Sequence, residues 1–143
     1  MDIARVMAGK SGSEIVTCDI AMTMRAALDM LATRRIGAMP VMDGGRVAGI
    51  FSERDVIYCL QVEGEASLAK PVGEVMTAPP ITVTPSMRID EALELMTRRR
   101  IRHLPVMQDE ALCGFVSIGD LVKAQIDGLA QEAEVMRAYI QTA

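Results

Sequence analysis

The sequence predicts an α/β (α+β) fold: two copies of a β-α-β-β-α unit, packed sheet to sheet about a pseudo-twofold axis, with a long C-terminal helix. Three observations carry this. Displaced by 65 positions, the chain matches itself without a gap over about forty residues. Each copy alternates short β-branched runs with apolar positions at helical spacing. At 143 residues, 50% of them hydrophobic and 24% charged, the chain is the size of one ordinary domain and can bury a core.

The match is dense where it matters. Arg34-Arg35-Ile36-Gly37-Ala38-Met39-Pro40-Val41-Met42 falls on Arg99-Arg100-Ile101-Arg102-His103-Leu104-Pro105-Val106-Met107. Gly49-Ile50-Phe51-Ser52 falls on Gly114-Phe115-Val116-Ser117, Asp55 on Asp120, and Ala27-Leu28 on Ala92-Leu93. Val16-Thr17 falls on Ile81-Thr82. The chain therefore divides into a first copy at 1–61, a linker at 62–71 and a second copy at 72–143.

Each element has a local cause. Apolar runs around 15–18 and 80–83 are candidate strands. Pro85-Ser86 then precedes an apolar helix face of Met87, Ile89, Ala92, Leu93, Leu95 and Met96, matched by Met22, Met24, Ala27, Leu28 and Leu31. Both helices end in arginines, which suit the negative end of the helix dipole. Strands follow at Ala38–Met42 and His103–Met107. Asp43-Gly44-Gly45-Arg46 is a hairpin turn, because glycine accepts positive φ without steric cost. The return strands are Val47–Phe51 and Leu112–Val116, and Ser52 and Ser117 open the next helices. A three-stranded sheet with helices on one side leaves an apolar face that a second unit must cover. The last helix runs from about 118 towards 138, with Leu121, Val122, Ile126, Leu129, Ala133 and Met136 on one face. It exceeds its counterpart at 53–60, so the excess packs on a neighbouring subunit or folds back.

Composition excludes several functions. A net charge of −4 disfavours a general electrostatic grip on nucleic acid. Two Phe, two Tyr and no Trp leave little for base stacking. The run Arg98-Arg99-Arg100-Arg102 is a solvated helix end, since successive helical residues point in different directions. No apolar stretch is long enough to span a membrane, and the first residues lack a secretory pattern. Three widely spaced cysteines indicate neither a zinc site nor a disulfide framework, and a reducing cytoplasm is the expected compartment. One histidine, no Walker loop and no Gly-x-Gly-x-x-G leave no catalytic constellation, so no enzyme is expected.

Ile-x-x-(Leu/Met)-Pro-Val followed by Gly-(hydrophobic)2-Ser-x-x-Asp, occurring twice, resembles a tandem CBS-domain pair. The resemblance runs from about residue 3 to 130, and is to stand-alone bacterial proteins made of one such pair. It implies two clefts between the repeats that take an adenine nucleotide as regulatory ligand. AMP leads, with ATP, ADP, NAD(H) and S-adenosylmethionine as further candidates. It also implies a homodimer, an effector protein that reads the ligand, and no required cofactor. The alternative is a ligand-independent structural dimer or adaptor.

The resemblance directs attention to eleven residues. At Ser52-x-x-Asp55 and Ser117-x-x-Asp120 a helix N-terminus offers N–H groups to phosphate, and the carboxylate can accept from ribose hydroxyls. The same spacing suits a capping box, which uses both side chains on the helix itself. Gly37-Ala38 and Arg102-His103 occupy the turn that lines the cleft in the family, where Arg102 and His103 would hold phosphate. His103 could equally be a half-buried strand residue. Arg54 would reach phosphate or pair with an acid in solvent. Thr17 and Thr82 occupy the family's base- or ribose-contacting position, or are ordinary strand threonines. The first copy has no cation equivalent to Arg102 or His103, so the two clefts are expected to differ.

Overall fold

The computed structural model describes residues 1–10 and 14–142. The element order is α1 (Ile3–Ala8), β1 (Cys18–Asp19), α2 (Met24–Arg34), β2 (Ala38–Asp43), β3 (Arg46–Ser52) and α3 (Glu53–Glu63). A 3-10 turn at Gly64–Ala69 and a short α4 (Val72–Val75) lead to α5 (Ile89–Arg99), β4 (His103–Gln108), β5 (Ala111–Ser117) and α6 (Ile118–Thr142). The first sheet has the order β1-β2-β3, with β1 parallel and β3 antiparallel to β2. The second sheet is the β4-β5 hairpin. Gly44, at φ 64, makes the first hairpin turn as expected.

The strand expected at 80–83 shrinks to a single bridge, Val83 to Val106. The cause is a missing donor. In the first copy the Ile20 N–H donates to the Met42 carbonyl at 2.9 Å and extends the parallel ladder. The equivalent residue is Pro85, which has no N–H to give.

The apolar side chains do not merge into one core between the sheets. They form two clusters, and each is closed by a helix from the other half of the chain. Ile3 and Val6 of α1 are buried with Val83, Ile89, Met96, Leu104, Val116 and Leu121 of the second copy. Val72 of α4 is buried with Met24, Leu31, Met39, Phe51 and Val56 of the first. The backbone repeats the exchange: Ile3 N–H donates to the Met87 carbonyl at 2.9 Å, and Val72 N–H to the Met22 carbonyl at 2.7 Å. Two glycines make room for it. A Cβ at Gly49 would lie 2.6 Å from the Thr77 carbonyl oxygen and 2.7 Å from Met76 Sδ. One at Gly114 would lie 2.5 Å from Met7 Sδ. The C-terminal end of α1 and the residues just after α4 thus run directly against the return strand of the opposite half.

The expected single face of the last helix also splits. Leu121 is fully buried in the second core, whereas Val122, Ile126, Leu129 and Met136 are exposed on another side. No helix among the described residues is long and apolar enough to cross a membrane.

Candidate functional site

A cleft of about 380 Å³ lies between the two halves, within the range of small-molecule sites. Met7 and Lys10 enter it from the end of α1, and Glu14, Ile15 and Val16 from the approach to β1. Ile36, Gly37 and Ala38 come from the turn before β2. The second half supplies His103, Cys113, Gly114, Phe115, Ser117 and Asp120.

At its polar end, Ser117 and Asp120 cap the start of α6. Ser117 N–H donates to Asp120 Oδ2 at 2.8 Å, and Asp120 N–H donates to Ser117 Oγ at 3.1 Å. Lys10 Nζ reaches the same Oδ2 at 2.8 Å and the Phe115 carbonyl at 3.0 Å. Burial pushes the Asp120 carboxyl up, but the bonds from Lys10 and Ser117 outweigh it and hold the group below the usual carboxylate range. Both bonds fall on Oδ2. Oδ1 has no protein partner among the described residues.

The wall opposite the glycine turn is flat. The His103 ring stacks on Phe115, with centroids 5.4 Å apart and planes at 13°. A Cβ at Gly37 would lie 3.7 Å from the His103 ring, so the small residue there sets the width of the slot. Burial lowers the His103 pKa, and the nearby Asp120 and Glu53 only partly restore it. At neutral pH the ring is therefore uncharged, and the fixed cation of the cleft is Lys10. This has a measurable sign. As pH falls below the ordinary histidine value of 6.5, the unfolded chain takes up a proton before the folded chain does. Stability is expected to fall between about pH 7 and about pH 5, and urea midpoints of His103→Phe should lose that slope. An unchanged slope would assign it to other groups.

The pseudo-symmetric position around Asp55 is built differently. Asp55 is only 9% exposed. It accepts from Ser52 N–H at 2.9 Å, Ser52 Oγ at 3.1 Å and Thr77 Oγ1 at 2.8 Å. Thr77 also exchanges two 2.9 Å backbone bonds with Ile50. The matching residue of the other half, Phe115, gives its carbonyl to the Lys10 side chain instead. Backbone therefore seals the Asp55 side, while a long, rotatable side chain borders the Asp120 side.

Of the eleven candidates, Gly37, Ala38, His103, Ser117 and Asp120 are brought together. The other six do not line this cleft. Ser52 and Asp55 form the capping box of α3. Arg54 is exposed and donates to the Arg100 carbonyl at 3.1 Å, covering the end of α5. Arg102 is exposed, and its carbonyl accepts from Ile118 N–H at 2.8 Å. Thr17 stands one residue past the lining Val16 and is half-buried just before β1, and Thr82 is exposed. Sequence reasoning missed Lys10. A second self-alignment, displaced by 69 positions, sets Val6-Met7 on Val75-Met76 and would have marked the segment that carries it.

A CBS-domain family model matches residues 11–62 and 72–127. The mitochondrial CBS domain-containing protein CBSX3 of Arabidopsis thaliana is 39% identical over 124 residues, covering 83% of this chain and 60% of that protein. The chain thus spans less than two thirds of that relative. The crystal structure of the CBS-domain containing protein ATU1752 from Agrobacterium tumefaciens superposes with a TM-score of 0.83 at 35% identity, covering 87% of this chain and 99% of that one. CBSX2, solved in complex with AMP, superposes with a TM-score of 0.71 at 25% identity over 81% of this chain and 90% of its own. With both copies matched, and the fold shared over 87% of this chain, the chain belongs to the CBS-domain family and carries a tandem pair.

Proposed function

We propose that this chain is a regulatory module that binds one adenine nucleotide in the Asp120 cleft and passes the change to an effector protein. The observation that carries the reading is the combination at one cleft of an aromatic wall, a lysine and a carboxylate whose second oxygen has no partner among the described residues. CBSX2, a relative of the same fold, was solved with AMP. The adenine fits between Ile36 and the stacked His103 and Phe115, with Asp120 Oδ1 accepting from the ribose hydroxyls. Lys10 turns from Asp120 to the phosphate, aided by the N–H groups at the start of α6.

Charge favours a short phosphate chain. The cleft holds Lys10 against Glu14 and Asp120, with His103 neutral. A monophosphate suits one lysine better than a triphosphate does, so AMP ranks above ADP, ATP and NAD(H). The module is proposed to carry out no catalytic step, to need no cofactor and to work in the cytoplasm. Signalling needs only that the ligand bind one arrangement of the two halves more tightly than another.

Thermal unfolding with AMP, ADP, ATP, NAD(H), S-adenosylmethionine and GTP tests this on protein stripped of bound nucleotide. A ligand at ~100 times its dissociation constant adds about 2.7 kcal/mol, roughly 5–10 °C for a domain of this size. The expected result is a rise with AMP at one equivalent per chain. A flat panel would reject the sensor and favour the ligand-independent adaptor.

A further inference from the structure

α6 is 25 residues long, and the family match ends at residue 127, so its last part extends past the CBS pair. Leu121 is buried and Ala124 and Gly128 are half-buried, so these positions face the body. Every residue from Leu129 to Thr142 is exposed. An isolated helix of that length is marginal in water and gains its stability from packing an apolar face.

Such a face is present. Val122, Ile126, Leu129, Ala133, Met136 and Ile140 recur in alternating steps of four and three. This is the a/d seam of a heptad repeat, kept for about 27 Å. Val122 is 41% exposed and Ile140 65%, with the other large members between. On the heptad wheel, 121, 124 and 128 fall at c and f, on the far side of the helix from the seam, so the seam points away from the body.

We propose that α6 forms a parallel two-stranded coiled coil with α6 of a second copy of this chain. The flanking charges choose both partner and direction. In a parallel pair Glu132, at g, meets the partner's Arg137, at e. An antiparallel pair on the same seam sets Glu132 against the partner's Glu132, and Lys123 against the partner's Arg137. The first arrangement is attractive and the second repulsive. This assembly does not depend on nucleotide binding.

Size-exclusion chromatography with light scattering on the full chain tests it. The wild type is expected at about twice 15.5 kDa. Met136→Glu with Ile140→Glu should weaken the dimer at least tenfold, with circular dichroism confirming that the pair of repeats stays folded. Arg137→Glu should weaken it, and Glu132→Arg added to Arg137→Glu should restore it. Met136→Cys should give a covalent dimer on mild oxidation that wild type does not, because position 136 meets itself only in the parallel register. A wild-type monomer overturns the proposal. So does a dimer indifferent to Met136→Glu, which would move the interface to α3 or the base of α6, and so does failure of Met136→Cys to cross-link.

Discussion

Asp120→Ala is expected to abolish the stabilisation by AMP on a chain that still folds, whereas Asp55→Ala keeps the response on a less stable chain. The two aspartates occupy equivalent positions, and by sequence alone they are interchangeable. Their surroundings separate them. Both oxygens of Asp55 are occupied, Oδ2 by Ser52 and Oδ1 by Thr77. Removing that carboxylate removes the Asp55 half of the α3 capping box and leaves the Thr77 hydroxyl without its partner. Together these cost about 1–3 kcal/mol. Asp120 borders the cleft with one oxygen unpartnered among the described residues, and the other is held by a lysine that can rotate away. Its loss should cost the fold only about 1 kcal/mol, as a helix cap. It also removes two charged hydrogen bonds to ribose, about 3 kcal/mol or more and on the order of 100-fold in Kd. Calorimetric titration of both variants decides the matter. Equal loss in both would mean that the Asp55 side opens and binds as well. Unaltered binding in Asp120→Ala would remove this cleft from consideration.

The repeat made most of this architecture legible. Where the two copies agree, at the hairpins and the serine-capped helices, local chemistry settles the structure. The cleft residues Gly37, Ala38, His103, Ser117 and Asp120 come together because the turn before each central strand faces the opposite half. What the repeat hid was its own irregularity. The short helices repeat at 69 positions and the strands at 65, because the first copy has a longer connection after α1. An ungapped match therefore missed α1 and α4, and with them the exchange between halves and Lys10. The strand at 80–83 failed for a different reason: its β-branched residues are present, but Pro85 withholds the donor its counterpart Ile20 supplies. Likewise, spacing alone could not tell the body-facing Leu121 from the outward-facing Val122 beside it, since both fit an apolar stripe a hundred degrees wide.

Ile3→Ala should destabilise the chain by about 2–5 kcal/mol, although the residue is third from the N-terminus, in a region that ordinarily tolerates change. Ile3 is fully buried among Ile89, Met96 and Leu104, more than eighty positions away in sequence. The truncation leaves a cavity in the second core and loosens a helix of six residues that has little stability of its own. The consequence reaches the cleft. α1 ends two residues before Lys10, and Met7 packs on Gly114 in the wall, so a loosened helix misplaces the one fixed cation beside Asp120. Urea unfolding and AMP titration on the same variant should therefore change together: a lower midpoint and a weaker apparent affinity. A loss below about 1 kcal/mol would show that α1 contributes little to the second core. A large loss of stability with unchanged affinity would separate the helix from the site, and Lys10 would then act without the positioning that α1 provides.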